Sequence, residues 1–394
     1  MQLKVKELPV SDRWCVHSYY TLCPYAPDGS GRILISGADL KTDLGEVIIL
    51  SADGEVLDRF GADPVTPGFW HTGKWQSWSP DAKAVYYEAG SHQNPVVVKR
   101  DLASGKETRV EGNLEGISPL GEPGLSGGHS MLYAAGYGGG GYQPSLSPVP
   151  FEARDRHGLM ELGFDPPSTK VGLSTEAILN AHPDVEKLRK LDGDHDGLTL
   201  MTYCVRWAPD GKRFLFFFGN HCVDKSRQEP RLAYVFTADR EMKDIRLAID
   251  ISLDRRGVHW GWQPDSEYLI GYGPHPDEPG RMCLAEVRYD GTGYRMLSDH
   301  KSGGHPSVSP TDPDLIVTDE NTGEAGAVLF ISKQTGLEIG RVALPKFLGE
   351  KEAAGRNPLR VCHHPVFNQR GDKILCNSLP TDGLARMVEI QVGT

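Results

Sequence analysis

Apolar and polar residues alternate along most of this chain in short runs separated by turn residues, a pattern typical of antiparallel β-strands. One phrase recurs, in which an aromatic or apolar strand is followed by Pro-Asp-Gly, or a related turn, and then by a second apolar strand. Because Pro, Asp and Gly favour a tight turn, each copy predicts a hairpin. The copies read YAPDGSGRILIS (25–36), WSPDAKAVYYE (78–88), WAPDGKRFLFFF (207–218), WQPDSEYLIGYG (262–273), VSPTDPDLIVTD (308–319) and FNQRGDKILCNS (367–378).

The spacing of these hairpins predicts an all-β fold, a seven-bladed β-propeller that spans residues 1–394 as a single domain. With the turn proline as the marker, most successive copies lie 46 to 59 residues apart, which is the length of a four-stranded blade with its loops. The interval between Pro80 and Pro209 is 129 residues, which leaves room for one degenerate blade and a long insertion. We expect residues 127–138 to contribute to this degenerate third blade.

An insertion is expected from about residue 137 to residue 199. It contains the Gly-rich run GYGGGGYQPS and one helical candidate, STEAILNAHPDVEKLRKL, with Ser174 or Thr175 as its capping residue and Pro183 as a break. Because long insertions in propellers sit on a face of the fold, we expect a lid over the central channel. The last blade has three strands of its own, and the N-terminal LKVKEL is expected to pair as the fourth and close the ring.

Three histidines occupy the same position in consecutive repeats. His259, His305 and His364 each lie five residues before the marker of their blade, near the start of the innermost strand, where the strands crowd the central axis. The earlier copies carry other residue types there, namely Leu22, Trp75 and Cys204. We therefore expect three imidazoles at one mouth of the channel, an arrangement suited to a divalent metal. The alternative is a channel lined by polar residues and water.

His363 precedes His364 on the same strand, where neighbouring side chains normally point in opposite directions. Both rings face the channel only if the strand contains a kink or a bulge. The sequence therefore predicts a local irregularity at this point if both histidines belong to one site.

Composition and charge narrow the class of protein. The chain of 394 residues is 39% hydrophobic and 24% charged, as in ordinary globular proteins. Its net charge of −11 argues against a nucleic-acid-binding protein with a broad basic surface. Seven cysteines without a C-x-x-C pair indicate reduced core residues rather than disulfides. No membrane span or signal peptide is recognisable, so we expect a cytoplasmic protein without a membrane partner.

The chain resembles the cytoplasmic oligogalacturonate lyases, seven-bladed propellers that cleave short pectin fragments by β-elimination. The resemblance covers most of the chain and shows in CVHSYYTLCPYAPDGSGRILISG, GVHWGWQPD, GGHPSVSP and CHHPVFNQRGDKILCNS. It implies that His259 is the catalytic histidine and that His305 and His364 bind a metal. It also implies that Arg231 binds the substrate, a uronate-containing oligosaccharide. The implied cofactor is a divalent metal, manganese first, with zinc or calcium as alternatives.

The segment before His364 departs from the family's Gln-x-x-His-x-His-Pro metal motif. Leu359 stands at the glutamine position and Cys362 at the middle histidine position. Three interpretations stay open: His363 replaces the missing histidine through a shifted strand, Cys362 is itself a ligand, or the metal is bound in another way. A cysteine ligand would favour zinc, whereas histidines with oxygen ligands permit manganese.

Other residues are candidates for holding the sugar. His17 begins the inner strand of the first blade, and FWHTGKWQSW supplies His71 and Lys74, although inner-strand packing is the expected role of its tryptophans. His221 lies on the loop before Arg231. The turn DGDHDG (192–197) begins like a calcium loop, but its twelfth position is a tyrosine where a glutamate is needed, so a polar turn is expected.

The chemistry implied by the resemblance suits these residue types. The proton on C5 of a uronic acid is too weakly acidic for a side-chain base unless the charge of the adjacent carboxylate is neutralised, which a metal ion achieves. Neutral His259, with an ordinary pKa of about 6.5, could then remove that proton near pH 7. The bidentate fork of Arg231 suits a neighbouring carboxylate. A lyase for another uronate-bearing glycan and a non-catalytic binding propeller remain alternatives.

Overall fold

The strands of this protein form seven antiparallel sheets in the part of the chain that is described. The computed structural model describes residues 2–10, 12–66, 68–91, 94–128, 149–220, 228–252, 256–300, 303–320, 325–345, 361–380 and 382–393. Within these residues six sheets have four strands and one has three, and each sheet is one blade of a β-propeller. The prediction of a seven-bladed β-propeller is confirmed.

Within each blade the strands follow one another from the channel outwards. Blade 1 contains β2 (Trp14–Val16), β3 (Ile33–Asp39), β4 (Leu44–Leu50) and β5 (Val56–Pro64). Blade 2 contains β6 (Ser77–Trp78), β7 (Ala84–Gly90), β8 (Pro95–Asp101) and β9 (Glu107–Glu111). Blade 3 contains β10 (Gly124–Ser126), β11 (Gly158–Phe164) and β12 (Pro167–Ser174). Blade 4 contains β13 (Met201–Trp207), β14 (Arg213–Gly219), β15 (Ala233–Asp239) and β16 (Arg246–Asp250).

The remaining three blades complete the ring. Blade 5 contains β17 (Val258–Trp262), β18 (Tyr268–Pro274), β19 (Met282–Arg288) and β20 (Arg295–Ser298). Blade 6 contains β21 (Ser307–Val308), β22 (Leu315–Asp319), β23 (Ala325–Ser332) and β24 (Glu338–Pro345). Blade 7 contains β25 (Val366–Phe367), β26 (Lys373–Ser378), β27 (Arg386–Gly393) and the N-terminal β1 (Gln2–Glu7).

The ring is closed by the N-terminal strand, as the sequence predicts. β1 pairs antiparallel with β27, so that Gln2 lies opposite Gly393 and Glu7 lies opposite Val388. This pairing covers the edge of β27 and joins the two ends of the chain within one blade. The outermost strand of blade 7 is therefore the first strand of the sequence.

Blade 3 corrects the expected limits of the insertion. Residues 158–174 form the hairpin of β11 and β12, so they belong to a blade. The predicted insertion from about residue 137 to residue 199 is therefore wrong for these residues. The long connection of this blade instead lies between β10 and β11. Pro119 takes the place of the turn proline, because it lines the same cavity at the channel as Pro80 and Pro209. Residues 129–148 lie outside the described residues, so the lid stays a prediction.

The helices agree with the predicted break at Pro183. α1 (Phe69–Thr72) precedes blade 2, and α2 (Thr175–Asn180) and α3 (Val185–Asp194) flank the proline. The Ser174 side chain accepts a hydrogen bond from the backbone N–H of Ala177, which makes it the cap of α2. None of the helices in the described ranges is long and apolar enough to cross a membrane.

The core lies between the faces of adjacent blades. Leu34 and Val47 of blade 1, for example, pack with Val85 and Val98 of blade 2, and all four are essentially inaccessible to water. Similar apolar clusters join the other blades, including an aromatic one around Phe216 in blade 4. This packing fixes the innermost strands around the axis, which in turn fixes the residues at their starts.

Candidate active site

The same backbone irregularity recurs at the start of the innermost strands. The residue five positions before the turn marker has a left-handed φ in four blades: 50° at Trp75, 54° at Cys204, 58° at His259 and 46° at His364. The strand pairing also shifts register across Cys204 and His259, as at a β-bulge. Because a bulge re-aims its side chain, the repeat turns residues at this position towards the channel. The irregularity required at His364 is thus present.

The three phased histidines lie side by side at the channel. The ring centroids of His259 and His305 are 4.0 Å apart, and those of His305 and His364 are 4.3 Å apart. Two tyrosines of blade 1 lie against them, since the ring of Tyr19 is 4.7 Å from that of His364 and the ring of Tyr20 is 5.1 Å from that of His305. Consecutive blades therefore bring three imidazoles to one place.

His259 is held in one tautomer. Its Nδ1 lies 2.9 Å from the carbonyl oxygens of both Gly303 and Gly304, and carbonyls only accept, so Nδ1 carries the proton. The lone pair is therefore on Nε2. Burial, with the neighbouring ring of His305, holds the pKa of His259 well below its ordinary value. His259 is thus a neutral imidazole with one nitrogen able to accept a proton.

His305 is oriented by a buried carboxylate that the sequence analysis did not identify. Its Nδ1 donates to Asp319, with distances of 2.9 and 3.1 Å to the two carboxylate oxygens, and its backbone N–H donates over 2.7 Å. Burial opposes ionisation of Asp319, but His305 outweighs it and lowers the pKa of this carboxyl. The same arrangement orients histidine ligands in metal sites, and it leaves Nε2 of His305 without a hydrogen-bond partner among the described residues.

Asp319 also ties blade 6 to blade 7. One of its oxygens lies 3.1 Å from the backbone nitrogen of His363 and 3.3 Å from that of His364, both of which donate to it. The strand register contains a signal for this residue. Ser307 of β21 pairs with Val317 of the antiparallel β22. Continuing this register by two residues away from the turn places His305 opposite Asp319.

His364 and His17 are imidazoles buried completely within the cluster. Neither ring nitrogen of His364 has a hydrogen-bond partner among the described residues, and the ring of His17 faces the backbone of His363 and His364. Burial lowers the pKa of both histidines, to about 4 for His17, so both are neutral at pH 7. A buried polar atom without a partner is costly, and a bound ion or water is the usual resolution. The donor set therefore fits a metal.

A second grouping involves the cysteine that departs from the family motif. His71 of α1 lies with its ring centroid 4.8 Å from that of His364. The potential ligand atoms of His71, Cys362 and His364 all lie within 4.8 Å of one another. The ring of His363, by contrast, donates from Nδ1 to the carbonyl of Asn377 on β26 over 2.7 Å. The geometry thus groups Cys362 with the imidazoles and anchors His363 to the next strand.

Lys74, a substrate candidate from the sequence, is engaged in an ion pair within the protein. Its buried ammonium pairs with Asp63 of blade 1 and lies 5.8 Å from the ring centre of Tyr87. The physical reason is that neighbouring side chains point in opposite directions. The left-handed backbone at Trp75 turns its indole inwards, with the ring 5.4 Å from that of Tyr19, and leaves the Lys74 side chain between two blades. Packing is therefore the role of Trp75 as well.

Arg231 is partly buried and lies two residues before β15. Next to it, the side chain of Asn220 donates to the carboxylate of Glu229 over 3.0 Å and to the carbonyl of Pro230 over 2.8 Å. This network fixes the approach of the chain to β15. His221, the other candidate from this loop, lies outside the described residues.

The turn DGDHDG is part of the scaffold. The carboxylate of Asp192 forms a bidentate pair with Arg154, at 2.6 and 2.8 Å, and accepts the backbone N–H of Leu198 at 2.6 Å. These contacts give Asp192 a structural role in the turn, in line with the polar turn expected there.

A buried ion pair lies behind the tyrosines. The guanidinium of Arg206 is 5.2 Å from the ring centre of Tyr19 and 5.5 Å from that of Tyr20, and its Nε is 3.3 Å from Glu115. Next to this ion pair is a cavity of about 500 Å³, which lies at the end of the channel where the hairpin turns are. Arg206, Glu115 and Tyr20 line this cavity, and none of the described residues that line it is a histidine.

Comparison with solved structures finds the same fold in oligogalacturonate lyases. One, from Vibrio parahaemolyticus, superposes with a TM-score of 0.66 and 14% identity over 100% of this chain and 94% of that chain. Another, an oligogalacturonate lyase in complex with manganese, gives 0.64 and 14% over 100% and 96%. The β-propeller domain of Cps50 (Swd1) from Myceliophteria thermophila gives 0.53 and 11% over 96% and 98%.

These similarities confirm, at the level of the fold, the resemblance to the oligogalacturonate lyases. No protein-family sequence model and no curated protein sequence matches the chain. The chain is a seven-bladed propeller with the architecture of oligogalacturonate lyases, and the fold is shared with propellers of other functions. Its activity must therefore be argued from the site.

Proposed function

We propose that this protein is a metal-dependent lyase that cleaves uronate-containing oligosaccharides by β-elimination, with oligogalacturonides as the first candidate substrate. The observation that carries the proposal is the meeting of His259 with His305 and His364. One imidazole is fixed as a neutral base, and two others present ring nitrogens suited to a cation. A base beside a cation is what removal of a weakly acidic proton next to a carboxylate requires.

The metal is held in this proposal by His305 and His364, with His71 and Cys362 beside them. The bound cation supplies a positive charge that neutralises the uronate carboxylate and stabilises the negative charge that develops when C5 loses its proton. The support from this chain is the unpaired Nε2 of His305 and the two unpaired nitrogens of His364 among the described residues. The manganese bound by a lyase of the same fold makes a divalent ion the first candidate.

His259 performs the proton transfer. Its Nε2 accepts the proton from C5, the electrons of the C5–H bond form the C4–C5 double bond, and the bond from C4 to the leaving oxygen breaks. The departing oxygen takes its proton from solvent. The carbonyls of Gly303 and Gly304 keep the Nδ1–H in place and stabilise the imidazolium that forms, so the ring need not turn during the step.

Substrate contacts are assigned to two further residues that the sequence singles out. Arg231 is the candidate for a neighbouring uronate, because its planar fork matches a carboxylate. His17 lies within the cluster, with its ring 6.2 Å from that of His364, and can bind a sugar hydroxyl. The net charge of −11 gives an acidic sugar no general attraction, so local cations must supply it.

One observation favours a second candidate, a lyase for another uronate-bearing glycan. Cys362 replaces the middle histidine of the family motif, and Leu359 replaces its glutamine. A changed metal environment next to the substrate carboxylate is where a change of sugar or linkage would first be felt. A panel of uronides therefore belongs in the test.

The test is ultraviolet absorbance, because elimination from a uronide creates a conjugated double bond. Purified protein is incubated with each uronide and with manganese, zinc, calcium or a chelator. The proposal expects rising absorbance that the chelator abolishes and the metal restores. His195→Ala, at the end of α3 and outside the cluster, is the matched histidine control and should retain turnover. No absorbance change with any uronide and any metal would contradict the proposal.

A further inference from the structure

Two separate segments of the chain bring a thiol and two imidazoles together. His71 belongs to the short helix α1 before blade 2, and Cys362 and His364 precede β25 of blade 7. Their ligand atoms all lie within 4.8 Å of one another, with Cys362 and His364 buried. In a tetrahedral zinc site with bonds of about 2.0 to 2.3 Å, ligand atoms are roughly 3.3 to 3.8 Å apart. A small contraction of the trio is therefore enough to close around an ion.

His364 gives independent support for an ion at this point. Its ring is fully buried, and neither Nδ1 nor Nε2 has a hydrogen-bond partner among the described residues. Its backbone is also left-handed, with φ of 46°, a conformation that costs free energy for a residue with a side chain. The fold thus holds His364 in a strained position with an unsatisfied ring, which a metal bond would satisfy.

We propose that His71, Cys362 and His364 form a thiolate-containing metal site, and that the ion of this protein is zinc rather than manganese. This inference rests on the proposed function, because it names the metal of the same site. A thiolate is a soft ligand that selects zinc, whereas manganese prefers carboxylate, carbonyl and water oxygens. Two histidines and one cysteine leave the fourth position of a tetrahedral ion to His305, the ligand already named in the proposed function, and zinc can expand to a fifth position for substrate.

The ligand set also explains the altered motif. Cys362 occupies the middle histidine position, and His71, from the helix before blade 2, supplies the imidazole that the motif lacks. Binding is a simple exchange in which the Cys362 thiol loses its proton to solvent and the thiolate sulfur bonds to the ion, with no change of oxidation state. His305 lies beside the trio, with its ring 4.3 Å from that of His364, and supplies the fourth ligand through Nε2.

The experiment uses the full-length protein, freed of metal by a chelator and then loaded with cobalt(II), which replaces zinc. A thiolate bound to cobalt gives an intense near-ultraviolet charge-transfer band, and imidazole and oxygen ligands do not. The proposal expects this band in the wild-type protein and its loss in Cys362→Ser. Cys283→Ser, which changes a buried thiol of blade 5, is the matched control and should keep the band.

Competition between metals provides the second readout. In a mixture of equal concentrations, elemental analysis should find zinc in the wild-type protein and little manganese. His71→Ala removes a ligand and should weaken zinc binding by at least the roughly 10- to 100-fold that loss of an outer-shell partner costs. His195→Ala should leave zinc binding unchanged.

The outcomes separate this inference from the proposed function. A metal-loaded, active protein without a charge-transfer band, or one that prefers manganese, overturns the thiolate site and leaves the lyase in place. Failure of the wild-type protein to bind any divalent metal overturns both. Because the cobalt spectrum of the wild-type protein needs no variant, the test holds even if Cys362→Ser does not fold.

Discussion

The carboxylate of Asp319 receives both the ring Nδ1–H and the backbone N–H of His305, over 2.9 and 2.7 Å, in a fully buried environment. Asp319 ends β22, and His305 lies two residues before β21, the strand that pairs with β22 in blade 6. The pair therefore fixes the ring direction and the tautomer of a proposed metal ligand before any ion arrives, which lowers the entropy lost on binding.

Asp319→Asn should weaken metal binding by about 10- to 100-fold, the usual effect of losing the carboxylate behind a histidine ligand. The amide can accept only on one side, so the ring of His305 loses its fixed tautomer. Isothermal titration of the metal-free protein measures the affinity. Asp28→Asn, in the exposed first hairpin turn, is the control. Unchanged affinity in Asp319→Asn would show that His305 is not a ligand.

The value of kcat/KM should begin to fall on the acidic side only below pH 6.5. His259 must be neutral to accept a proton, and burial holds its pKa below the ordinary value, so kcat/KM should stay on its plateau as the pH falls through about 6.5. Initial rates from ultraviolet absorbance between about pH 5 and pH 8 measure this, with metal content followed at each pH. Loss of half the activity at pH 6.5 or above would argue against His259 as the base.

The buried pair of Arg206 and Glu115 should be important for stability. Arg206→Met leaves the Glu115 carboxylate buried without its partner, which is expected to cost roughly 3 to 5 kcal/mol of unfolding free energy. Urea denaturation measures the loss, and a double variant that also carries Glu115→Leu should recover part of it. A loss below about 1 kcal/mol, as for an exposed pair, would mean that the pair is solvated.

Removal of residues 2–7 should open the ring. Without β1 the edge of β27 is exposed, so the melting temperature should fall and the protein should associate through this edge. Thermal unfolding and light scattering measure the two effects. Lys4→Ala together with Lys6→Ala keeps the strand and serves as the control. Normal stability and no association in the shortened chain would show that β1 does not close the propeller.

Most of the fold could be predicted from the sequence because each blade repeats the same hairpin chemistry. The turn proline followed by polar residues and an apolar strand marks six of the seven blades. Blade 3 was misplaced because its turn, GISPLGEP, keeps Pro119 but lacks the Asp-Gly that identifies the other turns, and its next two strands follow a long excursion. Local turn chemistry therefore predicted the number of blades but not the limits of the insertion.

The candidate site could be predicted only where the repeat itself carries the signal. The phase of His259, His305 and His364 placed them at equivalent points, and the structure brings their rings together. Asp319 was missed because its contact depends on strand register across a turn, and the proximity of His71 to Cys362 was missed because it depends on the path of the chain between two blades. Contacts between segments distant in sequence carry no local pattern.

The most direct test of the central claim measures metal content and eliminase rate in the same preparations of wild-type protein, His259→Ala and His305→Ala. If one imidazole is the base beside a metal held by the others, His259→Ala should keep its metal but lose turnover by about 10²- to 10⁴-fold, the range for a general base. His305→Ala should lose both. Full metal content in His305→Ala, or full turnover in His259→Ala, would contradict the account.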